Sequence, residues 1–167
     1  VVPHLHYAMC MTGDFWPKVT HTLTTREREV LQWVCKGKSN PEIASILGVA
    51  YADIFTGTVC VCGVDFYQEI PFAREQFYPA TYLPDPRVLP LAKKNGRFVL
   101  LTGENDVNRE NTKVVLEKGF QHEGFRNVFY LEVPGMKHAI PGAEVLNTAL
   151  DYLDGNKVPP GAATPDR

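Results

Sequence analysis

Two loops carry residues that could do chemistry together. The stretch "GENDVNRE" presents Asp106, and "VPGMKHAIPG" presents His138. A carboxylate that orients an imidazole, with an imidazole that moves a proton near neutral pH, is the acid–base half of a nucleophilic hydrolysis site. Taken alone, each residue also suits an ordinary loop. A nucleophile is harder to find. The chain has two serines, Ser39 and Ser45, and neither sits in a G-x-S-x-G turn. None of the four cysteines, Cys10, Cys35, Cys60 and Cys62, belongs to a C-x-x-C pair. Cys60 and Cys62 lie two apart in an apolar run, so on a strand they share a face. Small buried hydrophobes are a better reading of them than metal ligands. Asp65 is a weaker acid candidate, and His122 reads as a surface residue. His4 and His6 form an H-x-H pair with no evident third ligand. No metal and no cofactor are expected.

Strands and helices must place these loops. "GTVCVCGV", "RFVLLTG" and "RNVFYLEVP" are short β-branched and aromatic runs bounded by Gly or Pro, and they predict buried strands. Between the second and third, "NRENTKVVLEKGF" predicts a helix stopped at Gly119. After the third, Val145, Leu146, Ala149, Leu150 and Leu153 recur at helical spacing. The alternation implies an α/β fold: a parallel sheet of about three strands with flanking helices and right-handed crossovers, preceded by a short all-helical segment. Chemistry in such sheets sits beyond the strand C-terminal ends, where Asp106 and His138 fall. The Pro- and aromatic-rich stretch from Phe66 to Lys94 predicts a long loop with a helical piece near Val88 to Lys94. Residues 155–167 read as a disordered tail.

The first third has a different character. "TTRE" and "SNPE" are tandem capping boxes, each a helix start whose cap contributes about 1 kcal/mol. Val30, Leu31, Val34 and Cys35 make one apolar face, and Ile43, Ala44, Ile46 and Leu47 another, with a break at Gly37. The run "LTTREREVLQWVCKGKSNPEIASILGV" resembles the LuxR (GerE) DNA-binding domain through its first two helices, and "VVPHLHYAM" resembles the linker before it. That resemblance implies a transcriptional regulator with a helix-turn-helix. Arg26, Arg28, Lys36 and Lys38 are then the candidate phosphate contacts, beside the alternative of a solvated helix face. In the family a recognition helix follows. Here "AYADIFTGTVCVCGVDF" follows, and no Lys or Arg occurs from Ser39 to Ala73. Phosphate contacts need basic groups, so nonspecific DNA binding at most is expected.

From about Ile43 to Asp154 the chain resembles the C-terminal half of a serine esterase-type α/β-hydrolase. Asp106 matches the acid loop, His138 matches the general-base loop, and "YADIFTGTVCVCGVDFY" matches the stretch after the nucleophile helix. The resemblance implies hydrolysis of a small ester or amide, with His138 as base and Asp106 as its orienter. The nucleophile elbow and the oxyanion-hole strands have no counterpart, so weak or no activity is expected. "ASILGVA" fits both families, and the apolar positions Ile43, Ile46, Leu47, Ala50 and Ile54 suit one continuous helix through Gly48. The expected organisation is a helix-turn-helix fragment over 1–49, the hydrolase-like half over 50–154 and the tail. Two rivals to an enzyme are a LuxR-family regulator and an interaction module without chemistry.

Composition bounds the partners. The 167 residues are 44% hydrophobic and 22% charged, which predicts a packed core. A net charge of -2 gives no electrostatic prior for nucleic acid or anionic membranes. No apolar run is long enough to span a bilayer. Cysteines without a disulfide framework suit a reducing cytoplasm. Three strands leave an open sheet edge near Val59 and Val61, an invitation to homo-oligomers.

Overall fold

Ile43, Ile46 and Val49 recur on one side of an 11-residue helix, α1 (Asn40–Ala50), and all three are buried. Removing such side chains from water contributes about 1.5–3 kcal/mol each. The computed structural model describes residues 30, 32–34, 36–38, 40–63, 65–73 and 76–155. After α1 come β1 (Gly57–Val61), β2 (Ile70–Ala73), β3 (Gln76–Tyr78), α2 (Leu89–Asn95), β4 (Arg97–Gly103), α3 (Arg109–Val114), β5 (Asn127–Val133) and α4 (Ala143–Leu153). The first two paired runs predicted as strands, β1 and β4, join β5 in a parallel sheet of order β1-β4-β5. The α/β class and the three-stranded parallel sheet are therefore as expected from the sequence.

Alternation along the strands sends side chains to two covered faces. On one, Cys60, Phe98, Leu100 and Tyr130 pack with Ile46 and Val49 of α1, Ala92 of α2 and Phe120. On the other, Val99, Leu101 and Phe129 pack under Ala149 of α4, with Val59 and Val61 at the margin. Gly48 is a point of close approach. A β-carbon there would stand 2.1 Å from Thr58 Oγ1 of β1. The glycine that reads in sequence as a tolerated interruption lets the helix lie against the strand.

Three local expectations need correction. The helix does not continue to Ile54. It ends at Ala50, and the amides of Ile54 and Phe55 both donate to the Tyr51 carbonyl in a turn, which leaves Ile54 52% exposed. The Phe66 to Lys94 stretch is not all loop and helix. β2 and β3 form an antiparallel ribbon with an irregular register, and exposed Pro71 sits where an edge strand tolerates it. Gly119 does not stop its helix. α3 runs on into a π-helical segment (Val115–Gln121), where Gly119 packs against Ile70 and Phe66. The predicted tail from 156 onward lies outside the described residues, as do the first capping box and the His4–His6 pair.

Candidate functional site

The two chemistry-bearing loops are stitched together at the C-terminal edge of the sheet. β4 ends at Gly103, and a β-carbon on that residue would stand 2.1 Å from the Met136 carbonyl oxygen. Only glycine lets the loop after β5 cross so closely. The Glu104 amide then donates to the Val133 carbonyl at 3.0 Å, and the Asn105 amide to that of Met136 at 2.9 Å. The Glu104 carboxylate accepts from the Gly135 amide at 2.8 Å. Gly135 itself has φ +69, so the turn after β5 uses a left-handed residue.

This stitching brings His138 Nδ1 to 3.0 Å from Asp106 Oδ1. The distance falls inside the range of about 2.6–3.2 Å that a working acid–histidine pair requires. The Asp106 side chain is fully buried, while 56% of the His138 side chain meets solvent. Three further groups hold the carboxylate. The Asn108 amide donates to Oδ1 at 2.9 Å, and the Thr102 hydroxyl donates to Oδ2 at 2.9 Å. The Cys62 thiol also meets it. Burial pushes the Asp106 carboxyl up, but the Asn108 amide, Cys62, His138 and Thr102 outweigh burial and hold it down at about 2. An ionised carboxylate only accepts, so Nδ1 of His138 carries the shared proton.

Cys62 joins this cluster, where the sequence predicts a small buried hydrophobe on the same strand face as Cys60. β1 ends at Val61, so Cys62 is the first residue beyond the strand and does not share a strand face with Cys60. Its backbone has φ +56, the left-handed region that non-glycine residues seldom occupy. The Cys62 amide donates to the Leu101 carbonyl at 2.8 Å, and its carbonyl accepts from Asn108 Nδ2 at 2.9 Å. Sγ lies 3.4 Å from the Ala139 carbonyl oxygen. Burial, followed by the Asp106 carboxylate, pushes the thiol up to about 11. The strand-edge rule that selected Asp106 and His138 selects Cys62 as well, once β1 is ended at Val61.

Beside this cluster lies a cavity of about 480 Å³, lined by Cys62, His138, Glu42, Tyr78 and Asn111 among others. That volume is in the range of small-molecule sites. The Tyr78 hydroxyl donates to the Asn111 side chain and ties the β2–β3 ribbon to α3. Cys60 stays apart, fully buried in the core, with its thiol pushed up to about 12 chiefly by burial.

Other candidates are placed elsewhere. Ser45 is fully buried and its hydroxyl donates to the Asp65 carbonyl at 2.8 Å. Asp65 is not part of the cluster around Asp106; its carboxylate pairs with Lys38 at 2.9 Å. Lys38 also meets Glu42 at 3.2 Å, while Lys36 is exposed and lies 4.2 Å over the Trp33 ring. Arg26, Arg28 and Ser39 lie outside the described residues. His122 is exposed, as the sequence suggests. Gly37, with φ +79, makes the break before α1.

Comparison with known proteins finds one family. Residues 21–54 match GerE, described as bacterial regulatory proteins of the luxR family. No curated protein and no solved structure matches the chain. Among the described residues no helix is long and apolar enough to cross a membrane. The matched segment ends at the Tyr51 turn, before β1, and Asp106 and His138 lie beyond it. The N-terminal segment of the chain is thus similar to LuxR-type regulators over the length of that match.

Proposed function

We propose that the α/β portion is of hydrolase lineage and keeps the acid–base half of an ester- or amide-hydrolysing site. His138 is the base, Asp106 orients it, and the adjacent cavity takes a small ester or amide. The 3.0 Å contact between them at the sheet's C-terminal edge carries this reading. Among the described residues no serine stands at the site, since Ser45 is buried elsewhere. Turnover is therefore weak or absent. The division at 49/50 between a helix-turn-helix fragment and a hydrolase-like half belongs to the same proposal. A fluorophosphonate probe tests it: no serine is labelled, and any slow turnover of an activated ester falls with His138→Ala. Stoichiometric labelling of Ser39 or Ser45, or robust turnover indifferent to His138→Ala, contradicts it.

A second reading, a LuxR-family DNA-binding regulator, has the better support from comparison, because residues 21–54 match that family. Its difficulty is geometric. The third helix that reads bases has no place between Ala50 and Gly57, where the chain turns directly into β1. With Lys38 engaged by Asp65 and Glu42, contact to DNA rests on Lys36 and on Arg26 and Arg28. A gel shift across salt concentrations separates the readings. Weak, sequence-indifferent binding lost at modest salt fits the hydrolase-lineage reading. Salt-resistant preference for one palindromic site establishes the regulator. Both readings place the chain in the cytoplasm.

A further inference from the structure

Three atoms of metal-ligand type converge where the sheet ends. Cys62 Sγ, an Asp106 carboxylate oxygen and a His138 ring nitrogen all lie within 4.8 Å of one another. An acid–histidine pair for hydrolysis has no use for a thiol beside its carboxylate. We propose that Cys62, Asp106 and His138 bind one zinc ion, with the fourth position open to the neighbouring cavity.

The chemistry of the donors favours zinc. Thiolate, imidazole and carboxylate are its three common ligand types, with bonds of about 2.0–2.3 Å. Tetrahedral bonds of that length put ligand atoms within about 4 Å of each other, and His138 Nδ1 and Asp106 Oδ1 already stand 3.0 Å apart. His138, half in solvent, is free to adjust to the sulfur. One thiolate and one carboxylate balance a divalent cation, which keeps a buried complex neutral. On binding, a Zn–S bond replaces the thiol S–H, whose proton leaves to water. The proton that Nδ1 shares with Asp106 passes through solvent to Nε2, and the imidazole binds through Nδ1 as its neutral tautomer.

The surroundings are built as a metal site's would be. Thr102 and the Asn108 amide each fix one oxygen of Asp106. Asn108 also holds the Cys62 carbonyl, and the Ala139 carbonyl oxygen accepts from the thiol at 3.4 Å, which keeps Sγ beside the carboxylate. Outer groups that orient ligands are worth 10–100-fold in metal affinity, by general experience. Strained backbone is kept where the surrounding structure fixes it, and such places cluster at functional sites. Zinc on Nδ1 and on the carboxylate would take the place of the Asp106–His138 hydrogen bond, so the metal-bound form and the acid–base pair are alternative states of one site.

Cobalt is the spectroscopic probe. The full chain, freed of metal by chelation, is titrated with cobalt chloride and read for thiolate-to-cobalt charge-transfer absorbance; zinc chloride then displaces it. We expect one equivalent bound, a band abolished by Cys62→Ser and kept in Cys60→Ser. Affinity falls tenfold or more in His138→Ala, where an exposed ring is removed without touching the core. No band at one equivalent, a band that survives Cys62→Ser, or an affinity unmoved by His138→Ala overturns the site.

Discussion

The Met136 carbonyl oxygen stands 2.1 Å from the place a β-carbon on Gly103 would take, so the loop that carries His138 rests on the last residue of β4. A backbone carbonyl cannot rotate away as a side chain can. Gly103→Ala must push the two loops apart. We expect a loss of about 1–3 kcal/mol, the usual scale of overpacking, read from the denaturant midpoint. An unchanged midpoint would show that the loop yields without cost.

The pairing of Asp106 makes stability depend on pH in a definite direction. Its folded pKa, about 2, lies below the unfolded carboxyl value of about 3.9. The stabilisation is therefore complete above about pH 4 and is lost as the pH falls through about 2. Asp106→Asn should cost roughly 2 kcal/mol at neutral pH. The difference between wild type and variant should close between about pH 4 and pH 2. A gap that stays constant down to the lower limit would mean that the carboxylate's partners do not stabilise its charge.

Much of this was legible in the sequence, for physical reasons. β1, β4 and β5 announce themselves because strands buried on both faces need continuous β-branched and aromatic runs. Asp106 and His138 follow from the rule that loops at strand C-terminal ends meet. The β2–β3 ribbon was hidden because Pro71 argues against a strand, and only its exposed place at an edge permits it. Cys62 was hidden by one residue of strand length. The apolar run "GTVCVCGV" does not mark where pairing with β4 gives out, and that point decides whether the thiol faces the core or the site. In sequence Gly48 reads as an interruption and Gly119 as a stop, since sequence does not reveal which neighbour crowds a glycine.

Gly48 offers a two-residue test of that crowding. An alanine there meets Thr58 Oγ1 and Cβ at 2.1 and 2.9 Å. We expect Gly48→Ala to destabilise the fold by about 1–3 kcal/mol. In a Thr58→Ala background the cost should shrink, because the nearer atom is gone and the two sites share one contact. Additive costs would place the crowding elsewhere.

β1 pairs with β4 on one side, and among the described residues no strand pairs with its other side. An open parallel edge recruits further strands. We expect the weight-average mass in sedimentation equilibrium to rise with concentration. A single monomeric mass across a wide concentration range would mean that the edge is covered.

Proton NMR of the imidazole N–H region tests the Asp106–His138 pairing most directly. Because the ionised carboxylate can only accept, Nδ1 of His138 must hold the proton between them. We expect a downfield N–H resonance in the metal-free wild type that is lost in His138→Ala, lost or moved upfield in Asp106→Asn, and untouched in His122→Ala. A wild-type spectrum without that resonance, or one that Asp106→Asn leaves unchanged, would contradict the pairing and with it the hydrolase-lineage reading of the site.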